Sequence, residues 1–566
     1  MEKLPQEIID RISSFLTVSD LRQTLTVSQQ FQHAAERSSG AFESFELRAT
    51  DASTQKLFYI FAGRRFRYLR RIHLRTELPR LQYGRKEAKA RFDPGHRETK
   101  ADLVKKDLEF TSQISSMFAA LKRLETRANE LQLGPGRIHL SVWAPTRARD
   151  SGYCLHWHLI SWRIQLLSPE KLPCLDSIYS LAVEGQADMD LLNEPSVAVS
   201  KLNLRIMIEL ASQLPNLQHL ECRIGGEEWV PNSESAAVSH FFHDAEGCRR
   251  DSRHNFAEAL TKTELPNSMR SISLDFMSPA RHMEDVDQRG GFPDLVAPAT
   301  RGDPFSSSLR VLSYQLRHLE LHGILDETIF WPTDNATTNP TWPNLESLSV
   351  HFYLASPSGA WYFCGPDNDG RDTESYRITS EMYPPLTSTD SDYEWDMEKG
   401  DSGLHQWEGV AASFRVCPIE ETLTPFLKAF TKAAQAMTKL RYAMLWTSMT
   451  WAADDVSEAY DSSVFDAAAE ISTRQDARLA WGIAFAQAGE EAFSTSPGLS
   501  FAEDRQIWWK MGGWRPAPDL HREFQQIGAG RGAGLMEYWR DGEFGNGLVV
   551  ESLFSQSRFL KGLRRY

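Results

Sequence analysis

Seven stretches of the chain share one short pattern: an aliphatic residue, two intervening positions, an apolar residue, one position, and a second apolar residue. They are Leu69-Arg-Arg-Ile72-His-Leu74, Ile178-Tyr-Ser-Leu181-Ala-Val183, Leu217-Gln-His-Leu220-Glu-Cys222, Met269-Arg-Ser-Ile272-Ser-Leu274, Leu316-Arg-His-Leu319-Glu-Leu321, Leu345-Glu-Ser-Leu348-Ser-Val350 and Leu440-Arg-Tyr-Ala443-Met-Leu445. Alternation of this kind predicts strands. Pro215-Asn216 and Pro343-Asn344 directly precede two of them, and Pro266-Asn267 lies close to a third. Helical periodicity falls between them, over 202–214, 256–265 and 424–437, the last with Phe426, Leu427, Phe430, Ala434 and Met437. A strand and helix that recur together predict parallel strands in a stacked solenoid of the leucine-rich-repeat kind. Motif starts at 217, 269, 316, 345 and 440 stand 29 to 95 residues apart. Regular repeats of this type run ~20–29 residues. The expectation is therefore an irregular α/β solenoid with long insertions, although an α/β domain with an open sheet also fits.

The first forty residues follow a helical period instead. Pro5 suits a helix start, where its missing N–H has no partner to lose. Ile8, Ile9, Ile12, Phe15 and Leu16 then form one apolar face. Thr17-Val18-Ser19 breaks it, with Ser19 or Asp20 able to cap a second helix holding Leu21 and Leu25, and Ser28 a third holding Phe31 and Ala35. Three such short helices cannot bury all these groups among themselves, so the surplus faces the rest of the chain or a partner. A small helical cap on a larger domain satisfies the same pattern.

Leu4-Pro5, Glu7-Ile8, Ile12, Leu16, Asp20-Leu21, Val27-Ser28 and Phe31 resemble the F-box, the motif of substrate receptors in cullin-RING ubiquitin ligases. Ser28 stands where that family usually has Cys and Phe31 where it usually has Trp; Phe42 falls near the usual end of the box. The resemblance implies a three-helix F-box over 1–43 that binds the ligase adaptor through Leu4, Pro5, Ile8, Ile9, Ile12, Leu16 and Leu21. Ile12, with Phe15, Leu25, Val27 and Phe31, could equally serve packing between the helices. It implies further a cullin scaffold as partner, a target protein held by the body over 44–566, and no catalytic step in the chain itself. Ile72-His-Leu-Arg-Thr-Glu-Leu-Pro79, Ile507-Trp-Trp-Lys-Met-Gly-Gly-Trp-Arg-Pro516, Leu520-His521 and Glu537-Tyr-Trp-Arg540 resemble a family of fungal F-box proteins. The fold class expected is α+β, a three-helix F-box followed by the irregular leucine-rich-repeat-like body.

Composition narrows the classes. Of 566 residues, 41% are hydrophobic and 24% charged, which is globular material. The formal net charge of −14 opposes general coating of nucleic acid. Basic residues concentrate over 64–106, where a solvated helix or charged linker accounts for them better than nucleic-acid contact, the chain being acidic overall, so no nucleic-acid partner is expected. Segment 355–411, rich in Pro, Gly, Ser, Asp and Tyr, is read as a long loop insertion, and 500–566, with its tryptophans, as a C-terminal cap. Surface recognition through Trp508, Trp509 and Trp514 is the other reading of that end. The start lacks a signal-peptide core, the longest apolar run (479–486) is far below the ~20 residues that span a bilayer, and six cysteines form no CxxC pair. An intracellular protein with no membrane contact is expected.

No constellation for chemistry emerges. His219-Leu-Glu221 and His318-Leu-Glu320 have the H-x-E form of zinc deaminases but no following Pro-Cys-x-x-Cys, and they share one phase of the strand repeat. They read as repeat echoes. His240, His243, Cys248 and His254 match no structural zinc spacing. His156-Trp-His158 reads as a surface pair. Gly528, Gly530, Gly532 and Gly534 follow a helix-like run over 518–527 and read as a turn, not a phosphate cradle. Asp367-Asn-Asp-Gly370 lacks the order and closing Glu of a calcium loop. Asn335-Ala-Thr337 is a sequon without a secretory context. No catalytic residue, cofactor or metal is assigned.

Overall fold

Side-chain caps mark where several helices begin. Thr17, Ser28, Thr50 and Thr99 each accept a hydrogen bond from the backbone N–H three residues on, and Asp303 accepts from Phe305 and Ser306. Each satisfies a donor that the first helical turn leaves open. Thr17, not Ser19 or Asp20, caps the second helix; Asp20 completes the turn by accepting from the Thr17 hydroxyl at 2.7 Å.

The computed structural model describes residues 4–79, 98–134, 136–148, 162–185, 197–199, 201–226, 246–278, 283, 286–296, 302–333, 339–387, 389–391, 412–450, 479–490, 492–493, 503–539, 549–550 and 552–555. Three short helices come first, α1 (Gln6–Ser13), α2 (Val18–Thr24) and α3 (Gln29–Ser38). Strands and helices then alternate. β1 (Ser44–Arg48), α4 (Asp51–Phe61), β2 (Arg71–Arg75), α5 (Lys100–Glu130), β3 (Ile138–Trp143), β4 (Ile178–Glu184), α6 (Arg205–Ala211) and β5 (His219–Arg223) make the first half. α7 (Glu246–Lys262), β6 (Ser271–Asp275), α8 (Pro304–Ser313), β7 (His318–Gly323), β8 (Ser347–Phe352), α9 (Glu420–Ala436) and β9 (Tyr442–Met449) continue it. β10 (Leu479–Ala486), β11 (Arg505–Lys510), α10 (Pro518–Gln525), β12 (Leu535–Trp539), β13 (Val549–Val550) and α11 (Ser552–Ser555) complete it.

These thirteen strands join one sheet, and further short strands among the described residues pair in three small sheets apart from it. From β1 to β9 each strand lies beside the next one in the chain and parallel to it. β10 then pairs antiparallel with β9, with β11 and with β13, and β12 runs parallel to β11. The fold is thus α+β around a large mixed sheet, as the strand and helix patterns imply.

One face of the sheet explains the shared motif. Leu47, Leu74, Leu140, Val183, Leu220, Leu274, Leu321, Val350, Leu445 and Ile483 belong to one buried cluster, joined there by Phe118 of α5, Ile206 of α6, Phe256 of α7, Phe305 of α8 and Phe426 of α9. In most of the motifs the leading residue stands just before its strand; Ile178 opens β4 itself. Leu69, Leu217, Met269, Leu316 and Leu345 are all buried in that cluster, tying each strand entry to the helical layer. The pattern is a packing unit of three apolar contacts per strand.

Several sequence expectations change. β1 and β3 lie in the sheet without the full motif. α5, 31 residues long, begins inside the basic segment read as a solvated helix or charged linker, and it is a helix with a buried face of Phe110, Ile114, Phe118, Leu121 and Leu124. α7 starts ten residues before the expected 256–265 helix, α6 is shorter than 202–214, and α9 starts four residues before 424. The 355–411 segment is not loop throughout: Ala355, Trp361, Tyr362, Phe363 and Cys364 sit in the main cluster. Trp508 and Trp509 are buried in β11, inside the sheet itself, and Trp514 is half-buried against its core. That burial removes Trp508 and Trp509 as surface-recognition groups. Among the described residues no helix is long and apolar enough to cross a membrane.

Candidate functional site

The other face of the sheet is polar, and its strand register aligns chemistry that is scattered in the sequence. One row runs Arg71, His139, Ser180, His219, Ser271, His318, Ser347, Tyr442 across β2 to β9. The next runs His73, Ser141, Ala182, Glu221, Ser273, Glu320, Ser349, Met444. A third, from β4, runs Glu184, Arg223, Asp275, His322, His351, Trp446, Gly482. Side chains two apart on a strand share a face, so the three rows form one surface.

Histidine and serine alternate along the first row and bond to one another. His139 Nδ1 lies 2.8 Å from Ser180 Oγ and its Nε2 lies 3.1 Å from Ser141 Oγ; His318 Nδ1 lies 3.1 Å from Ser347 Oγ. Burial pushes His139 down to about 4, helped by His73, Arg71 and His219 beside it. Burial also pushes His219 and His318 below the ordinary imidazole value, and His351 well below it. These rings are neutral at neutral pH and act as hydrogen-bonding groups. The fixed negative charge in the middle rows comes from Glu184, Glu221, Asp275 and Glu320. Ser273 donates to Glu320 at 2.8 Å. Burial pushes the Glu184 carboxyl up, with Arg223 opposing and Glu221 and Asp275 reinforcing the rise. His219 and His318 are therefore strand-register partners of serines, in keeping with their shared repeat phase.

At its far end the polar face is closed by aromatic packing. The Trp446 ring stacks on His351 at 3.8 Å between centroids and on Phe554 of α11 at 5.5 Å. Phe493 and Trp508 join the same cluster.

The N-terminal helices present the second candidate surface. Ile9 packs inside them against Phe31 and Ala34, and Leu21 is buried too. Neither faces a partner in this conformation, which separates them from the other expected docking residues. Leu4, Ile8 and Ile12 are exposed, with Pro5, while Leu16 is half-buried. Phe15 (73% exposed), Val18, Leu25 and Val27 add to them. These exposed apolar side chains on three short helices make the module the second candidate surface.

This helical module is fastened to the sheet by charge. Glu36 of α3, nearly buried, accepts from Arg64 at 2.9 Å and Arg65 at 2.6 Å, each through a paired fork. Burial alone would raise the Glu36 carboxyl; the bonds from Arg65 and Arg64 outweigh it and hold it below the ordinary value. Arg37 pairs with Asp10 at 2.7 Å. Arg67 donates to the Leu133 carbonyl and Arg75 lies over the Trp143 ring. These contacts give several cations of the basic segment a structural role.

Among the described residues, the remaining sequence candidates do not come together in one site. His156, His158, His240, His243 and Asn335 lie outside the described residues. Cys248 is buried on α7, and His254 bonds through Nε2 to the Leu295 carbonyl at 3.2 Å. Among the described residues no group of His, Cys, Asp and Glu is placed to hold a metal. Gly528 and Gly532, at φ 69° and 78°, form the turn between α10 and β12, as expected of a glycine-rich turn. At the 367–370 turn, Gly370 offers its carbonyl to Arg415 at 2.8 Å. No protein-family model matches the chain, and no curated protein matches it.

Proposed function

We propose that the chain is the substrate receptor of a cullin-RING ubiquitin ligase, with an F-box at 1–43 docking on the ligase adaptor. The exposed apolar surface of Leu4, Ile8, Ile12, Phe15, Val18, Leu25 and Val27 carries this reading. Burying one such side chain fully contributes about 1.5–3 kcal/mol, so a handful suffices for a specific contact. Pro5 and Leu16 border that surface, and Ile9 and Leu21 support it from within. The body is read as an irregular leucine-rich-repeat-like solenoid that holds a target protein. The receptor supplies proximity and performs no covalent step, raising the effective concentration of target lysines near the ubiquitin-loaded enzyme. Its place is inside the cell, with the ligase.

Capture of recombinant adaptor by the purified chain tests the assignment, wild type beside Ile8→Asp/Phe15→Asp. Both side chains are exposed, so the double variant keeps its fold while placing charge in an apolar contact. Capture by wild type and loss in the variant is the expected result. A folded wild type that captures no adaptor makes the three helices a structural cap acting outside a ligase.

A further inference from the structure

Two cysteines 53 residues apart in the chain face each other across a short ladder. Phe363-Cys364 pairs antiparallel with Cys417-Pro418, and the register sets Cys364 opposite Cys417. Backbone bonds on either side hold that register. The Ile419 N–H donates to the Tyr362 carbonyl at 2.8 Å, and the Val416 N–H to the Cys364 carbonyl at 3.0 Å. Residues directly opposed on antiparallel strands have Cα atoms ~4.5–5.5 Å apart and side chains on one face. That separation falls inside the ~4.4–6.8 Å that a disulfide spans. The Cys364 thiol already points across the ladder, donating to the Cys417 carbonyl at 3.5 Å. Among the described cysteines no other two are opposed: Cys222 lies between Val183 and Leu274, Cys248 is on α7, and Cys174 is on no strand.

Access to the two thiols is unequal. Cys417 is half-buried and Cys364 buried, so a reagent from solvent meets Cys417 first. Burial pushes the Cys417 thiol up to about 11, with Cys364 and Asp367 adding to the rise. Burial raises the Cys364 thiol as well, with Arg371 and Arg415 opposing. Both therefore rest as protonated thiols and exchange slowly, while the two guanidinium groups favour the Cys364 thiolate when it forms.

We propose that Cys364 and Cys417 form a reversible, stabilising disulfide by exchange with a small-molecule disulfide. The Cys417 thiolate attacks one sulfur of the reagent, whose own S–S bond breaks and releases the first reagent thiol. The Cys364 thiolate then attacks the Cys417 sulfur, forming the cross-strand bond and expelling the second. The protein gives up two electrons and two protons, and the reagent takes both up as two thiols. The bond staples the stretch after β8 to the entry of α9, where the Thr422 hydroxyl already donates to the Trp361 carbonyl at 2.8 Å. A link between residues so far apart removes much freedom from the unfolded chain. This inference stands apart from the receptor reading.

The test uses the full chain, purified with reductant and then held for hours in oxidised glutathione. Remaining thiols are alkylated in denaturant, and peptides are mapped without reduction. Wild type should yield a linked pair carrying Cys364 and Cys417, which dithiothreitol releases. Its first thermal transition should rise by about 3–5 °C on oxidation and fall back on reduction. Cys417→Ser is compared oxidised against reduced, so that its own stability cancels, and should show no rise. Cys364→Ser should stop at glutathione held on Cys417. Both cysteines still open to alkylation in wild type, glutathione resting on its Cys417, or a link from either to a different cysteine overturns the proposal. So does a linked pair without a thermal rise, or an equal rise in Cys417→Ser.

Discussion

Phe554 fills the space that Gly482 leaves on the sheet face. A Cβ at Gly482 would lie 2.9 Å from Phe554 Cζ, 2.6 Å from Trp446 Cβ and 2.8 Å from the Leu445 carbonyl. The last is backbone and cannot give way. Gly482→Ala is therefore expected to displace α11 and to destabilise the chain by about 1–3 kcal/mol. Protease cleavage near 552–555, followed in wild type and variant, checks it; equal protection in both would show that the contact yields.

Ile8 and Ile9 are neighbours with opposite roles. Ile9→Ala, inside the α1–α3 contact, should cost the helical module about 2–4 kcal/mol, measured by hydrogen exchange of α1. Ile8→Ala, on the exposed side, should leave exchange within about 0.5 kcal/mol of wild type and weaken adaptor capture.

Glu36→Gln should loosen the junction between α3 and the sheet by about 1–2 kcal/mol, because two partly exposed arginines lose their shared partner. The carboxyl is held below its ordinary value, so its stabilisation is complete above that value and is lost as pH falls through the lowered one. Melting of the wild type on acidification should therefore show a loss that Glu36→Gln lacks.

His139 gives a second pH dependence in a different window. The unfolded chain takes up its proton near the ordinary imidazole value and the folded chain only at about 4. Stability is full above the ordinary value and falls between there and about 4, by an amount on the order of 3 kcal/mol. His139→Gln keeps a hydrogen-bonding side chain and removes the titration. Urea unfolding across this window should show a shallower loss in the variant; parallel curves would refute the assignment.

Arg415 has no exposed surface, and carbonyls and a hydroxyl carry its bonds. It donates to the Gln288, Phe363 and Gly370 carbonyls and to Thr373, and its guanidinium lies 4.2 Å from the Trp361 ring centre. Burial pushes it down to about 10. Arg415→Lys should lose about 3 kcal/mol or more, since one ammonium cannot reach acceptors spread around a planar fork. Thermal unfolding measures the loss, and a variant as stable as wild type would contradict it.

Strand positions were legible wherever a leading aliphatic residue preceded the alternating pair, because that residue buries into the helical layer. β1 and β3 escaped for a physical reason. Phe42-Glu-Ser-Phe45-Glu-Leu47 has the same spacing but with an aromatic residue in the leading place, and Ile138, Leu140 and Val142 alternate correctly without an aliphatic residue at the leading position, which Arg137 holds. α5 was hidden by charge: its exposed side carries lysines and arginines that resemble a linker, while Phe110, Ile114 and Phe118 recur beneath. The polar face was legible only in fragments. His219 and His318 share a repeat phase, yet Ser180, Ser271 and Ser347 become their neighbours only through strand register. Register depends on pairing between segments far apart in the chain. The exposed N-terminal residues followed from helical period; that Ile9 and Leu21 point inward depends on how α3 packs across α1 and α2.

From β1 to β9 every strand settles against the one made just before it. A chain emerging residue by residue can lay down this sheet in the order of synthesis, each new strand finding its edge already in place. β13 and α11 break that order by returning onto β10 across two later-made elements, β11 and β12. The aromatic end of the polar face is thus the part whose assembly waits, and newly made chains should acquire Phe554 protection after the rest of the sheet has formed.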